Sequence, residues 1–501
     1  MGVTKVSSRV TRTLPFLSAV LAFIVRIYPY AFIAAGWVVE DGTVAYWFRM
    51  FTEGHYIYLS LYPHTAIFGM SALVRLGIPV DWAAKVWSPL MGAVSTVLIY
   101  KLLTELGHKE NAVYGAILYA CLDSSVYRQS TLATSLEATA VMFALLFIWL
   151  WHRGVKASYL LLPVVAYSHY IVFFVTFIYL FLWWWTHTSV SLVKRVIAAS
   201  LLGGGLIVLL AFLPVGYALP QLLDSITHFS LNKFVDVYGS EEVFLLMKTL
   251  LVTSILFSVN LITTKSPHLR LVSAFYVAAV VFSMMFYSPI ISPYRLIVYM
   301  GVIGILGSIP LLSRLTTFKR ILLVGVLCLI SLGQIYSYGL DRHIHVNDTL
   351  TREELGMLKW LHQHDGSVGY SRLLWDDVGI ENSLNQLFIM VEVDPYTTRE
   401  KDYKTWYAAA EVKKILVEQQ NNGNSTVEGQ PMNITDPTPP HIKYIMYSTR
   451  FAERALYRLP EGEYNKLIYR NYVIDDLWSN SPYWVLIYDN LGGKIYERKA
   501  S

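Results

Sequence analysis

Long apolar runs separated by short polar segments dominate the chain up to about residue 340. Runs able to enter or cross a bilayer occur at 14–38, 86–106, 111–122, 132–151, 157–169, 170–186, 196–218, 243–262, 271–287, 294–312 and 321–338. That pattern predicts about eleven spanning helices. The stretch 64–77 (HTAIFGMSALVRLG) is too short to span and reads as an interfacial or re-entrant helix. The first run carries Arg26 and lacks a small-residue cleavage signature, so it reads as a retained anchor. Beyond 340 the pattern turns polar and mixed. Thr351–His362 predicts a short helix, and Asp489–Gly493 a hairpin turn between Tyr483–Tyr488 and Lys494–Arg498. Residues 419–440, rich in Asn, Gly and Pro, predict a long loop.

The basic residues orient this array. Lys5, Arg9 and Arg12 precede the first span, and Lys109, Arg153/Lys156, Lys194/Arg195, Lys265/Arg270 and Arg314/Lys319/Arg320 fall in alternate short loops. Placed inside, they put the N-terminus in the cytoplasm and the tail outside a multi-pass cell membrane protein. Three sequons in the tail, at Asn347, Asn424 and Asn433, agree with an outer location. The expected organisation is a transmembrane domain over 1–340 and an extracytoplasmic α/β domain over 341–501.

Composition narrows the class. The chain is 55% hydrophobic and 15% charged, too apolar for a soluble domain. Its net charge of +5 is dispersed, which gives no footprint for nucleic acid. The two cysteines, Cys121 and Cys328, lie inside apolar runs and form neither a disulfide framework nor a zinc spacing. No GxxxxGK[ST] or dinucleotide fingerprint is present.

The candidate chemistry lies in the outer loops. Glu40 and Asp41 follow the first span, in a loop that also holds His64. The second loop holds Asp123 and Arg128, and Glu137 stands at the start of the next helix. Glu241 and Glu242 lie in the loop before the 243–262 span, and Arg295 at the outer end of the 294–312 span. Carboxylates beside hydrocarbon are costly to keep, which favours a functional reading. A carboxylate can take the proton of an acceptor hydroxyl, and paired carboxylates can hold Mg²⁺ or Mn²⁺. An arginine at the bilayer edge suits a departing phosphate. Each residue also has a plain structural alternative. Glu137, Glu241 and Glu242 are placed to serve helix dipoles. Arg295 could snorkel to headgroups. Asp123 could cap a helix, and His169 could be a packing histidine.

EDGTVAYWFRMF after the first span resembles the first outer-loop acidic motif of GT-C membrane glycosyltransferases. YRQSTLATSLEATAVMF resembles the second-loop motif of the oligosaccharyltransferase catalytic subunit. The resemblance covers mainly residues 14–150 and the general plan of spans followed by an outer domain. It implies a GT-C-like polytopic helical fold and an enzyme. The donor would be a polyprenyl (dolichyl)-phosphate sugar and the acceptor an extracytoplasmic glycan, lipid or protein. Asp41 would be base or metal ligand, Glu137 its partner and Glu40 a neighbour able to substitute. Arg295, Arg128, His64, Glu241 and Glu242 would contact substrate. The tail segment LLWDDVG at 373–379 matches the oligosaccharyltransferase WWDxG motif at Trp375, Asp377 and Gly379, but Asp376 stands where that motif has its second Trp. A transferase of single sugars is therefore preferred over a divergent oligosaccharyltransferase for protein N-glycosylation. A lipid or solute transporter is the alternative of another class, disfavoured because the acids gather at one edge rather than at the midplane.

Overall fold

The structure is a computed structural model. It describes residues 8–28, 65–130, 135–197, 200–201, 250–285 and 293–340, and in the tail parts of 356–365 together with 373–375, 443–448, 483–491 and 493–499. Contacts divide the chain into two compact units, one helical and one built on a sheet.

The helical unit begins with α1 (Ser8–Tyr28), followed by α2 (Thr65–Arg75), α3 (Val80–Glu105), α4 (Ala112–Cys121), α5 (Asp123–Arg128) and α6 (Ser135–His152). A 3-10 turn at Lys156–Leu160 leads into α7 (Leu161–Ser168) and α8 (Tyr170–His187). Then come α9 (Leu251–Thr263), α10 (Pro267–Met285), α11 (Pro293–Leu312) and α12 (Thr317–Leu340). By length and composition, Lys85–Glu105 and Thr317–Ile335 are long and apolar enough to cross a membrane. Other apolar helices among the described residues have 10–17 residues. The expected span at 196–218 lies almost wholly outside the described residues.

Local sequence sets the ends. Gly77, Gly107 and Gly154 stop α2, α3 and α6 in the left-handed region, at φ +91°, +87° and +74°. The next residue in each case donates to a carbonyl five back: Ile78 to Leu73 O, His108 to Leu103 O, Val155 to Leu150 O. This is the paired-bond helix stop that glycine permits. Proline opens α10 and α11, where its missing N–H costs nothing. His169 separates α7 from α8 as one extended residue; its N–H bonds Val165 O and its carbonyl accepts from Phe173. It is buried, as the packing reading expects.

Packing rests on small residues where helices cross. On α11, a Cβ at Gly304 would sit 2.9 Å from the Phe257 backbone nitrogen of α9, and one at Gly307 would overlap the Asn260 side chain. The Asn260 amide in turn donates to Ser273 of α10 at 2.7 Å. Backbones thus approach closely, and the amide N–H of a buried Asn finds its acceptor across a helix interface, the kind of contact expected within lipid.

The loops gather at two ends of this unit. At one end Arg153 faces Glu105 at 3.8 Å, Arg320 donates to Asn111 Oδ1 at 3.0 Å, and His152 meets Tyr179 Oη at 3.1 Å. His268 packs edge-on to Trp183 there. These contacts join the five connections whose basic residues predict the cytoplasmic side. Among the described residues, the buried carboxylates Asp123 and Glu137 lie at the other end.

The second unit carries a mixed sheet of β1 (Leu373–Trp375), β2 (Tyr444–Ser448), β3 (Trp484–Asn490) and β4 (Gly493–Arg498), in the order β1-β2-β4-β3. β1 and β2 run parallel; β4 is antiparallel to β2 and β3. β3 and β4 form the hairpin the sequence predicts, with an irregularity between Leu486 and Tyr488. Residues 356, 357, 360, 361, 363 and 364 are helical, with Met357 and Leu361 buried. Asp365 fastens this helical segment to β2, accepting from Lys443 Nζ at 2.7 Å and Tyr444 Oη at 2.9 Å.

Candidate active site

Glu137 sits in the first turn of α6, where the helix dipole favours a negative charge. It is buried, 5% exposed. Its Oε1 accepts a hydrogen bond from the Tyr299 hydroxyl at 3.2 Å. Tyr299 comes from α11, itself buried and 162 residues further along the chain. Arg295 occupies the first turn of the same helix, four residues before Tyr299. Folding therefore brings the second-loop acid against the helix that carries the candidate phosphate-binding arginine. Nothing in the spacing of residues 137 and 299 could announce the tyrosine.

The wall beside Glu137 is keyed by one glycine. Thr139, on the same turn, accepts from Trp87 Nε1 at 2.8 Å. The Trp87 ring lies against Gly69 of α2, where a Cβ would stand 1.9 Å from the ring. The Thr65 hydroxyl at the start of α2 donates to Ser168 at the end of α7 at 2.5 Å. The predicted helix in 64–77 thus forms, and it is pinned to α3 and α7.

Asp123 is also buried, but its oxygens are taken. They accept the backbone N–H groups of Ser124, Val252 and Thr253, at 2.7 Å, 2.9 Å and 3.2 Å, and the Thr253 hydroxyl. Asp123 is thus the cap of α9, the structural alternative that its sequence position left open. Arg128 lies at the end of α5. Glu40, Asp41, His64, Glu241 and Glu242 lie outside the described residues.

Among the described residues no three His, Cys, Asp or Glu side chains come together to hold a metal ion. Glu137 has one oxygen on Tyr299 and can offer the other to a cation.

No family model and no curated protein matches the chain. Among solved structures it is similar to the arabinofuranosyltransferase AftD from mycobacteria, with TM-score 0.49 and 12% identity, over 99% of this chain and 42% of that one. The chain therefore spans less than half of that enzyme. It is similar to ArnT from Cupriavidus metallidurans, solved with undecaprenyl phosphate, with TM-score 0.46 and 14% identity over 99% of each chain. It is also similar to the oligosaccharyltransferase AglB from Archaeoglobus fulgidus, solved with an inhibitory peptide and a dolichol-phosphate. That match has TM-score 0.46 and 10% identity, over 99% of this chain and 75% of that one.

Proposed function

We propose that this chain is a GT-C membrane glycosyltransferase, moving a sugar from a polyprenyl (dolichyl)-phosphate donor to an extracytoplasmic glycan, lipid or protein acceptor. The observation that carries the reading is the burial of Glu137 against Tyr299 of α11, one turn from Arg295. The acidic motif at Glu40-Asp41 and its resemblance to GT-C enzymes support it.

In this reading Asp41 accepts the proton of the acceptor hydroxyl as that oxygen bonds to the anomeric carbon of the sugar. The bond between that carbon and the phosphate oxygen breaks, and the polyprenyl phosphate leaves with its electron pair. Arg295 pairs with the departing phosphate. Glu137, held by Tyr299, orients the acceptor from its free oxygen. In the alternative role, with Asp41 as metal ligand in place of base, Asp41 and Glu137 would hold Mg²⁺ or Mn²⁺, which would supply neutralisation of phosphate charge. His64, Arg128, Glu241 and Glu242 would line the substrate path.

Transfer from radiolabelled polyprenyl-phosphate sugars, in membranes containing the chain, tests this. Wild type should move label, and Asp41→Asn and Glu137→Gln should each lose about 100-fold or more, the scale of a missing general base. Full activity in Asp41→Asn, made as a folded protein, would remove the assignment. No transfer with any monosaccharide donor would redirect the reading to a lipid-linked oligosaccharide donor or to transport.

A further inference from the structure

Arg26 is the most fully engaged cation among the described residues. It stands in the last turn of α1 and is fully buried. Nη1 donates to Ala120 O at 2.7 Å and Ala22 O at 3.1 Å. Nη2 donates to Ser125 Oγ at 3.0 Å, Gln129 Oε1 at 3.1 Å and Tyr119 O at 3.2 Å. Nε donates to Gln129 Oε1 at 3.3 Å. A guanidinium has five N–H donors, so this set leaves none for a ligand. Its partners among the described residues are all neutral.

The partners explain why a charge is kept there. Tyr119 and Ala120 are in the last turn of α4, whose carbonyls lack the usual donor four residues on; from the backbone, Tyr119 O has only a long bond from the Leu122 N–H, at 3.4 Å. Within a bilayer no water can take them. Arg26 takes both, and their carbonyl dipoles face its charge. The Ser125 hydroxyl also donates to Tyr119 O, at 2.7 Å, and the Gln129 amide donates to the Tyr119 hydroxyl at 2.8 Å. Space is reserved for the group: a Cβ at Gly92 of α3 would stand 2.3 Å from Arg26 Nε and 3.0 Å from Gln129 Oε1.

The location gives the network a consequence. α1 is described to Tyr28, two residues after Arg26, and Glu40 and Asp41 follow it in the sequence. Gln129 lies eight residues before Glu137 in the second loop. We infer that Arg26 is a positioning residue, clamping together the roots of the two acid-bearing loops without touching substrate. The chemical consequence rests on the reading of Asp41 and Glu137 above; the clamp itself does not. Lysine cannot replace it, because an ammonium lacks the planar fork that reaches α4, Ser125 and Gln129 together.

The test compares Arg26→Lys, Arg26→Met and Gln129→Leu with wild type in purified, reconstituted protein. Hydrogen exchange of 119–130 should quicken by about tenfold in both Arg26 variants while α9 keeps its protection. The turnover per folded molecule, counted from the monodisperse fraction, should fall about 10- to 100-fold, with the donor KM within about twofold. Gln129→Leu should move both in the same direction by less, and it decides the matter if an Arg26 variant does not fold. Unchanged exchange, or full rescue by lysine, overturns the clamp. Quickened exchange with wild-type turnover overturns the positioning role. A wild type without transfer activity, but with the exchange difference intact, would sink the glycosyltransferase reading and leave the clamp standing.

Discussion

Two carboxylates are buried at the same end of the helical unit, and their partners separate their roles. Asp123 is saturated by three backbone N–H groups and a hydroxyl, and two of those N–H groups begin α9. Glu137 meets a single phenol, which leaves an oxygen for something else. Asp123→Ala would strand the Val252 and Thr253 N–H groups away from water. It should destabilise the protein by about 2–3 kcal/mol, the scale of a lost cap plus unpaired buried donors. The apparent melting temperature in detergent should drop by several degrees, and Asp123→Asn, which keeps one acceptor oxygen, should drop it less. A melting curve like wild type for Asp123→Ala would show that α9 does not depend on this cap.

Elements in both units are fixed by single polar ties at their ends. In the sheet unit, Asp365 joins a helical segment to β2 through Lys443 and Tyr444. The Asp365 carboxylate, and then Tyr444, hold the Lys443 ammonium above its ordinary value; burial lifts the Tyr444 phenol to about 12. Raised values give a definite sign. The unfolded chain loses these protons first as pH climbs. The tie therefore contributes fully below the unfolded lysine value, about 10.5, and fades as pH rises through the folded one. Lys443 is half exposed, so its ion pair is worth on the order of 0.5 kcal/mol. Asp365→Asn should lower the urea concentration at which a protease cleaves the tail. The gap from wild type should be constant between pH 7 and about 10 and should narrow above that. A gap that widened with alkalinity would contradict the assignment.

Across the whole helical unit, five basic connections come together at one end and the buried acids at the other. On the positive-inside rule the first end is expected on the cytoplasmic side. With Cys121 and Cys328 replaced by alanine, cysteines introduced at Arg153 and Asn347 should report the two sides separately. An impermeant maleimide should label position 347 on intact cells and position 153 only after permeabilisation. The reverse pattern would invert the orientation, and labelling of both on intact cells would break the expected odd number of crossings.

Much of this was legible along the chain, for a physical reason. Hydrocarbon demands apolar helices, so the helical runs, the short connections between them and the Glu137 helix start are written in local composition. Glycine stops at 77, 107 and 154 and the hairpin at 489–493 are equally local. The partners are not local. Tyr299 meets Glu137 across 162 residues, Thr253 meets Asp123 across 130, and Arg26 meets Gln129 across 103. A buried polar group must find a partner wherever packing brings one, and periodicity carries no record of which helix that will be. The sequence by itself determined where helices stop, at Gly77, Gly107 and Gly154, and that Glu137 stands at a helix start. Only the tertiary structure decided that Asp123 is a cap, that Glu137 faces α11, and that Arg26 joins α1 to the last turn of α4, Ser125 and Gln129.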